Sequence, residues 1–355
     1  EVLAFLYDIS ISHNSISNMG LSGIGLPVIT PEEMPTGSQQ LSGQLSNYLQ
    51  ILRVYGNPIV GLNITENHIF ECFQNQLDRV LRELVSIRGL GGISLALCAD
   101  VSIHCNRIEK NGVTYTKPTC GIWISFGEEV EITHNTIADN APLSSDPIDD
   151  LPAGNRGGIA LIASAMSIVN FLQGGKEEEI QVTRRPAARI QDNNVDQPVG
   201  RALTLFAIGP AAILNNQFNS ERSGPSPLER YVGSVLVLNI GGPNQAGSFI
   251  NTDIGSSPNN PSETFTAKPK NQFQRESLFR LPNGNTLFNS NQTRLGLDNQ
   301  SLISQLIWTA DDLGFDGNQS EALARGASFD NIRGVINTAL LAATLRASDN
   351  RLKEP

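Results

Sequence analysis

Two neighbouring stretches of this chain repeat one another without a gap, and that repeat decides what the chain can fold into. Ile93, Leu95 and Leu97 in residues 91–112 align with Ile122, Ile124 and Phe126 in residues 120–140. Val101, Ile103, Asn106 and Ile108 then align with Val130, Ile132, Asn135 and Ile137. The two asparagines stand 29 residues apart (135 − 106). Each unit holds two runs of alternating apolar residues joined by a short polar turn, then the Asn, then a third apolar position. Alternation of period two marks a strand, because successive side chains point to opposite faces, and its recurrence at a fixed interval marks a solenoid. One unit has too little apolar surface to bury by itself; stacked on its neighbours it builds a continuous core.

The element Val-x-Ile-x-x-Asn-x-Ile recurs along the chain. It appears as Ile9–Ile11–Asn14–Ile16, Leu62–Ile64–Asn67–Ile69, Ile190–Asn193–Val195 and Ala211–Ile213–Asn216–Phe218, with weaker copies ending at Asn291, Asn318 and Asn350. This element resembles the coil of right-handed parallel β-helix proteins, the pectate-lyase-like superfamily, and covers nearly the whole chain. The resemblance implies an all-β fold, a right-handed parallel β-helix solenoid with inserted short helices and long loops. It also implies that each Asn occupies a tight left-handed turn and stacks its amide on the Asn of the next coil. Asn tolerates that backbone region better than other non-glycine residues, and stacked amides can pair along an axis as they do in cross-β ladders. The expected ladder is Asn14, Asn67, Asn106, Asn135, Asn193, Asn216, Asn291, Asn318 and Asn350. A fainter likeness to large bacterial β-helix proteins, including tail-spike and injection-particle components, implies a place in a larger assembly.

About ten such coils make one domain over residues 1–355, since a solenoid escapes the usual size limit of a single core. The chain opens in what reads as a strand, so it is expected to be a fragment of a longer protein. Leu41, Leu45, Tyr48, Leu49 and Leu52 fall on one face of a helix, as do Leu77, Leu81, Leu84 and Ile87. Helical insertions are therefore expected at about 36–55 and 75–88. Residues 243–275, rich in Pro, Asn, Ser and Gly, read as a long loop excursion. The apolar, Ala-rich residues 334–347 fit a strand or a helix. A net charge of −10 and a pI near 5.0 argue against nucleic acid and against an anionic membrane surface. No run of apolar residues is long enough to insert in a membrane. Cys72, Cys98, Cys105 and Cys120 show neither metal nor disulfide spacing, and read as reduced residues filling small sites.

Polysaccharide-cleaving enzymes of the superfamily that the chain resembles carry acids or a calcium site on the outward face of the first sheet. Here alternation turns Ser94, Ala96, Trp123, Ser125, Ala160, Ile162, Thr204 and Phe206 outward. None is charged, whereas glycoside hydrolysis needs two carboxylates on one groove. Such an apolar face calls for cover by the inserted helices or by another chain; alternatively Trp123 and Phe206 form a platform for sugar rings. The second sheet is polar outside. It brings Asp100 near Glu129, Ser102 near Glu131 and His104 near Thr133, one coil step of about 4.8 Å apart. Asp100, Glu129 and Glu131 are thus the alternative catalytic residues, or the start of a calcium site that needs about six to eight oxygens; the plainer reading is a solvated acidic strip. The position before each Asn reads His13, Glu66, Cys105 and His134, ligand types without zinc spacing. No metal or cofactor is expected beyond the calcium alternative.

These readings converge on a non-catalytic structural or adhesive module of a large bacterial protein or a phage-tail-like contractile injection particle. The alternative is a carbohydrate-active enzyme, lyase or hydrolase, or a glycan-binding module. Its expected partners are other protein subunits or the rest of a parent chain, with glycans under the alternative. Self-association into a homo-oligomer fits the apolar face. Extracellular, particle-associated and cytoplasmic settings all stay open.

Overall fold

The computed structural model describes residues 6–26, 59–75, 90–113, 119–140, 155–165, 186–241, 286–310, 312–322, 338–342 and 344–353. The helical insertions expected at 36–55 and 75–88, Asn75 excepted, and the excursion at 243–275 lie outside these residues.

Within them the fold is all-β, with a single short helix, α1, at Pro227–Tyr231. The strands fall into three columns, which the chain visits in turn. The first column holds Ile24–Leu26, the leading halves of Gly91–His104 and Cys120–Thr133, then Gly157–Ala165, Arg201–Ile208, Val232–Asn239, Ile303–Thr309 and Thr338–Leu341. The second holds Leu6–Ser12, Ile59–Thr65, the trailing halves of the same two long strands, then Ala188–Gln191, Ala211–Leu214, Thr286–Asn289, Asp312–Asp316 and Thr344–Ser348. The third runs from Ser15–Ser17 to Arg351–Lys353 as a separate 9-stranded sheet. Because two long strands serve both of the other columns, those columns join into one curled 15-stranded sheet. Every pairing between described strands is parallel. In and just beyond the stretch 334–347 that fitted a strand or a helix, residues 338–341 and 344–348 are strands.

The aligned apolar positions become cross-strand neighbours. Ile93 faces Ile122, Leu95 faces Ile124, Val101 faces Val130 and Ile103 faces Ile132. Their side chains share one interior with Ile69, Ile108 and Ile137 of the third column, all at 0% exposure. Each fully buried side chain of this size stabilises the stack by about 1.5–3 kcal/mol. The interior changes character along the stack. The third-column series Ile108, Ile137, Val195, Phe218 continues with Thr293 and Ser320, both buried. Their hydroxyls are satisfied inside, Thr293 Oγ1 donating to Gln305 Oε1 at 2.9 Å and Ser320 meeting Ser304 at 2.8 Å.

All nine expected asparagines form the ladder. The backbone N–H and side-chain Nδ2 of Asn14 both donate to Oδ1 of Asn67, and the same double contact repeats at each step to Asn350. From Asn67 onward each Nδ2 also reaches a carbonyl on the preceding turn of the chain, as Asn106 reaches Ile64 at 2.8 Å. Buried amides with both hydrogens used satisfy the demand that buried polar groups be paired.

One expectation is corrected. The left-handed residue is not the Asn but the one before it: His13, Glu66, Cys105, His134, Asp192, Asn215, Ser290, Gly317 and Asp349, with φ between 53° and 64°. The Asn N–H must point along the stack to reach the next Oδ1, so the reversal falls one residue earlier. At the non-glycine positions the strain is on the order of 1–2 kcal/mol.

Candidate functional site

Two surfaces gather the residues singled out from the sequence. On the outward face of the first column, Ser94, Trp123, Ala160 and Thr204 are successive neighbours. Trp123 is 4% exposed and packs with Cys120, Ala160 and Ile162, so its ring offers no open face for a sugar; as a stacking platform it is corrected. Ala96 and Ala160 are buried as well, which agrees with a covered face. Phe206 is 40% exposed and heads a different series, Phe206–Leu238–Trp308–Leu341, on four consecutive strands. Trp308 was missed as a partner of Phe206. The signal was its place in an alternating run, Ile303 to Thr309, but no clear repeat set that run in register.

The second surface follows the second column and its corner with the third. Asp100 and Glu129 occupy adjacent turns of the chain, between the pairs Ala99–Glu128 and Val101–Val130, as expected. Both are left-handed, with φ of 51° and 53°, and Asp8 and Gly61 hold the same position on the two preceding strands with φ of 50° and 76°. These acids therefore stand where the long strands bend. Ser102 faces Glu131 and His104 faces Thr133. Glu131 lies beside Arg189, with Oε1 at 3.7 Å from Nη1. Arg189 is 4% exposed, and burial draws its pKa down against the pull of Glu131 and Asp192, so Glu131 acts as counter-ion to a buried cation.

At the corner, the run of His, Glu and Cys becomes a set of contacts between neighbours. His13 Nε2 meets Glu66 at 2.6 Å, and His134 Nε2 meets Asp192 Oδ2 at 3.1 Å. His104 places Nε2 at 3.2 Å from Cys105 Sγ and Nδ1 at 2.9 Å from Thr133 Oγ1. Its ring lies edge-on to His134 with centroids 5.2 Å apart. Asp192 accepts from Gln191 Nε2 at 2.9 Å, and Gln191 Oε1 accepts from Arg189 Nε at 2.9 Å. His68, at the start of a third-column strand, meets Glu109 at 2.9 Å, and Arg107 meets the same carboxylate at 2.9 Å. Among the described residues no group of three or more His, Cys, Asp or Glu is placed to hold a metal ion.

Cys72, Cys98 and Cys120 are buried and Cys105 is exposed; all four are free thiols. Burial pushes the thiol pKa of Cys72, Cys98 and Cys120 up. Comparison with protein-family models, with curated proteins and with solved structures finds no match.

Proposed function

We propose that the chain is a right-handed parallel β-helix of the pectate-lyase-like kind, serving as a non-catalytic structural or adhesive module of a larger assembly. The observation that supports this most is the ladder from Asn14 to Asn350, in which every step is closed by the same pair of hydrogen bonds. A stack stapled at each turn is stiff along its axis and presents its insertions from a fixed frame. The acids support the same reading, since Asp100 and Glu129 are bend residues and Glu131 balances Arg189. The test is sedimentation of the native protein from its source cells, with mass spectrometry of what travels with it. Migration with the subunits of a large particle is expected; a slow, solitary species overturns the proposal.

A second reading is favoured by the series Phe206–Leu238–Trp308–Leu341, exposed at its two ends and half-buried at Leu238 and Trp308, which offers aromatic and aliphatic faces on one line, as sugar rings require. The chain has two tryptophans, and Trp123 is buried, so a fluorescence change on adding oligosaccharides reports on Trp308. A flat titration across a polysaccharide panel sinks this reading.

A further inference from the structure

The corner at Cys105 carries chemistry that a scaffold does not use. We propose that Cys105 is a thiol–disulfide exchange site, with His104 as its base and a small, solvent-borne disulfide as its substrate.

The thiolate is the nucleophile in such exchange, so a reactive cysteine needs access and a proton acceptor. Cys105 has both. It is the exposed thiol of the four, and His104 Nε2 lies 3.2 Å from its sulfur. The other ring nitrogen, Nδ1, is 2.9 Å from Thr133 Oγ1. With Nδ1–H donating to that hydroxyl, the lone pair of Nε2 faces the thiol. Nucleophile, base and a group that orients the base is the arrangement that activates Cys in nucleophilic chemistry. A second set of contacts anchors this array. The His134 ring meets His104 edge-on and is held by Asp192, which is tied through Gln191 to Arg189. Gln191 and Arg189 are 1% and 4% exposed, so the exposed pair leans on residues fixed in the interior.

In the reaction, the Cys105 proton passes to His104 Nε2 and the thiolate attacks one sulfur of the disulfide. A new sulfur–sulfur bond forms to Cys105 as the old one breaks. The departing sulfur leaves as thiolate and takes the proton back from His104. Cys105 is oxidised by the disulfide and the leaving half is reduced, so no further reagent is needed. Cys72, Cys98 and Cys120 take no part, being buried.

The test is incubation of the full chain with glutathione disulfide, followed by intact mass and peptide mapping. One adduct is expected, on Cys105, forming at least about ten-fold faster in the folded chain than in the urea-unfolded chain, in line with general-base assistance. His104→Gln is expected to remove that advantage and move the rate–pH curve to higher pH, with the melting temperature unchanged; Thr133→Val is expected to remove part of it. Equal rates in folded and unfolded chain, adducts on the three buried cysteines first, or an unchanged rate–pH curve in His104→Gln each overturn the proposal. If His104→Gln does not fold, the folded-against-unfolded comparison in the unaltered chain decides alone.

Discussion

Asn106 donates twice to one acceptor: its backbone N–H and its Nδ2 reach Oδ1 of Asn135 at 2.9 and 3.1 Å. Asn135 in turn uses its Nδ2 on Ile103 O at 2.8 Å and on Asn193 Oδ1 at 3.0 Å. Its side chain thus stitches three turns of the chain, and its removal strands partners on both sides.

Asn135→Ala should therefore be among the most damaging changes to a small polar residue. It leaves the buried N–H of Asn106 without its acceptor and takes a donor from the carbonyl of Ile103, at about 1–3 kcal/mol each. A loss of about 3 kcal/mol or more is expected in chemical denaturation. Asn14→Ala, at an exposed position, should lose about 1 kcal/mol or less. Equal losses at the two sites would show that the ladder does not hold the stack together.

A second, shorter ladder runs along the next corner, and Cys72 stands in it where an Asn would. Asn111 N–H and Nδ2 donate to Asn140 Oδ1 at 3.2 and 2.8 Å, and Cys72 N–H donates to Asn111 Oδ1 at 3.0 Å. The Cys72 thiol lies 3.5 Å from Phe70 O and 4.0 Å from Ile16 O, carbonyls placed as those that the Nδ2 of Asn140 and Asn111 meet. Cys72→Asn should replace these weak contacts with amide hydrogen bonds and stabilise the chain by about 1 kcal/mol. A lower unfolding midpoint for Cys72→Asn than for Cys72→Ala would count against the equivalence.

The main ladder was legible from the sequence, and the parts that were not have physical reasons. The strand runs around Ile93 and Ile122 and all nine asparagines stood out because inward packing and amide stacking each demand one residue type at a fixed place. The left-handed position was misplaced by one residue because it demands a conformation rather than a side chain, and His, Glu, Cys, Asp and Ser all supply it. The second ladder carried the same interval of 29 (140 − 111), but Cys72, standing where an Asn would, disguises the series. Burial of Trp123 was hidden for a different reason: alternation tells which face a side chain takes, not what lies over that face.

The left-handed corners give a direct check. Lys110 has φ of 54° and an exposed side chain. Lys110→Gly should be neutral or stabilising by up to about 1 kcal/mol, since glycine enters this region freely, whereas Lys110→Val should lose about 1–2 kcal/mol or more. Equal thermal midpoints for the two variants would contradict the assigned backbone.

Acid should weaken the corner at His68. Burial alone would raise the pKa of Glu109, but hydrogen bonds from Arg107 and His68 outweigh it and hold the carboxyl below its ordinary 4.5. A depressed acid contributes stability above its unfolded value and loses it as pH falls through the folded value. The difference in stability between the unaltered chain and Glu109→Gln should thus be present at neutral pH, at roughly 1 kcal/mol or less for a partly screened pair. It should shrink as pH falls below about 4.5. A difference that grows toward acid would reverse the sign assigned here.

Gly200 sets how closely two turns of the chain approach where Arg156 is buried. Its φ is 93°, and a Cβ there would sit 2.6 Å from the carbonyl oxygen of Arg156 and 3.0 Å from its Cβ. The first obstacle is backbone, which cannot swing aside as a side chain can. Arg156 is 3% exposed, and the neighbouring Arg201 reaches Val232 O through Nε at 3.0 Å. Widening the gap at Gly200 therefore disturbs two buried cations together. Gly200→Ala combines a strained φ with a clash against fixed atoms, and a loss of more than about 2 kcal/mol is expected. Gly25, with no φ in the left-handed range and side-chain atoms of Ser22 as its nearest neighbours, is the control, and Gly25→Ala should lose far less. Denaturation of the two variants side by side separates a strained close approach from the general loss of a strand glycine.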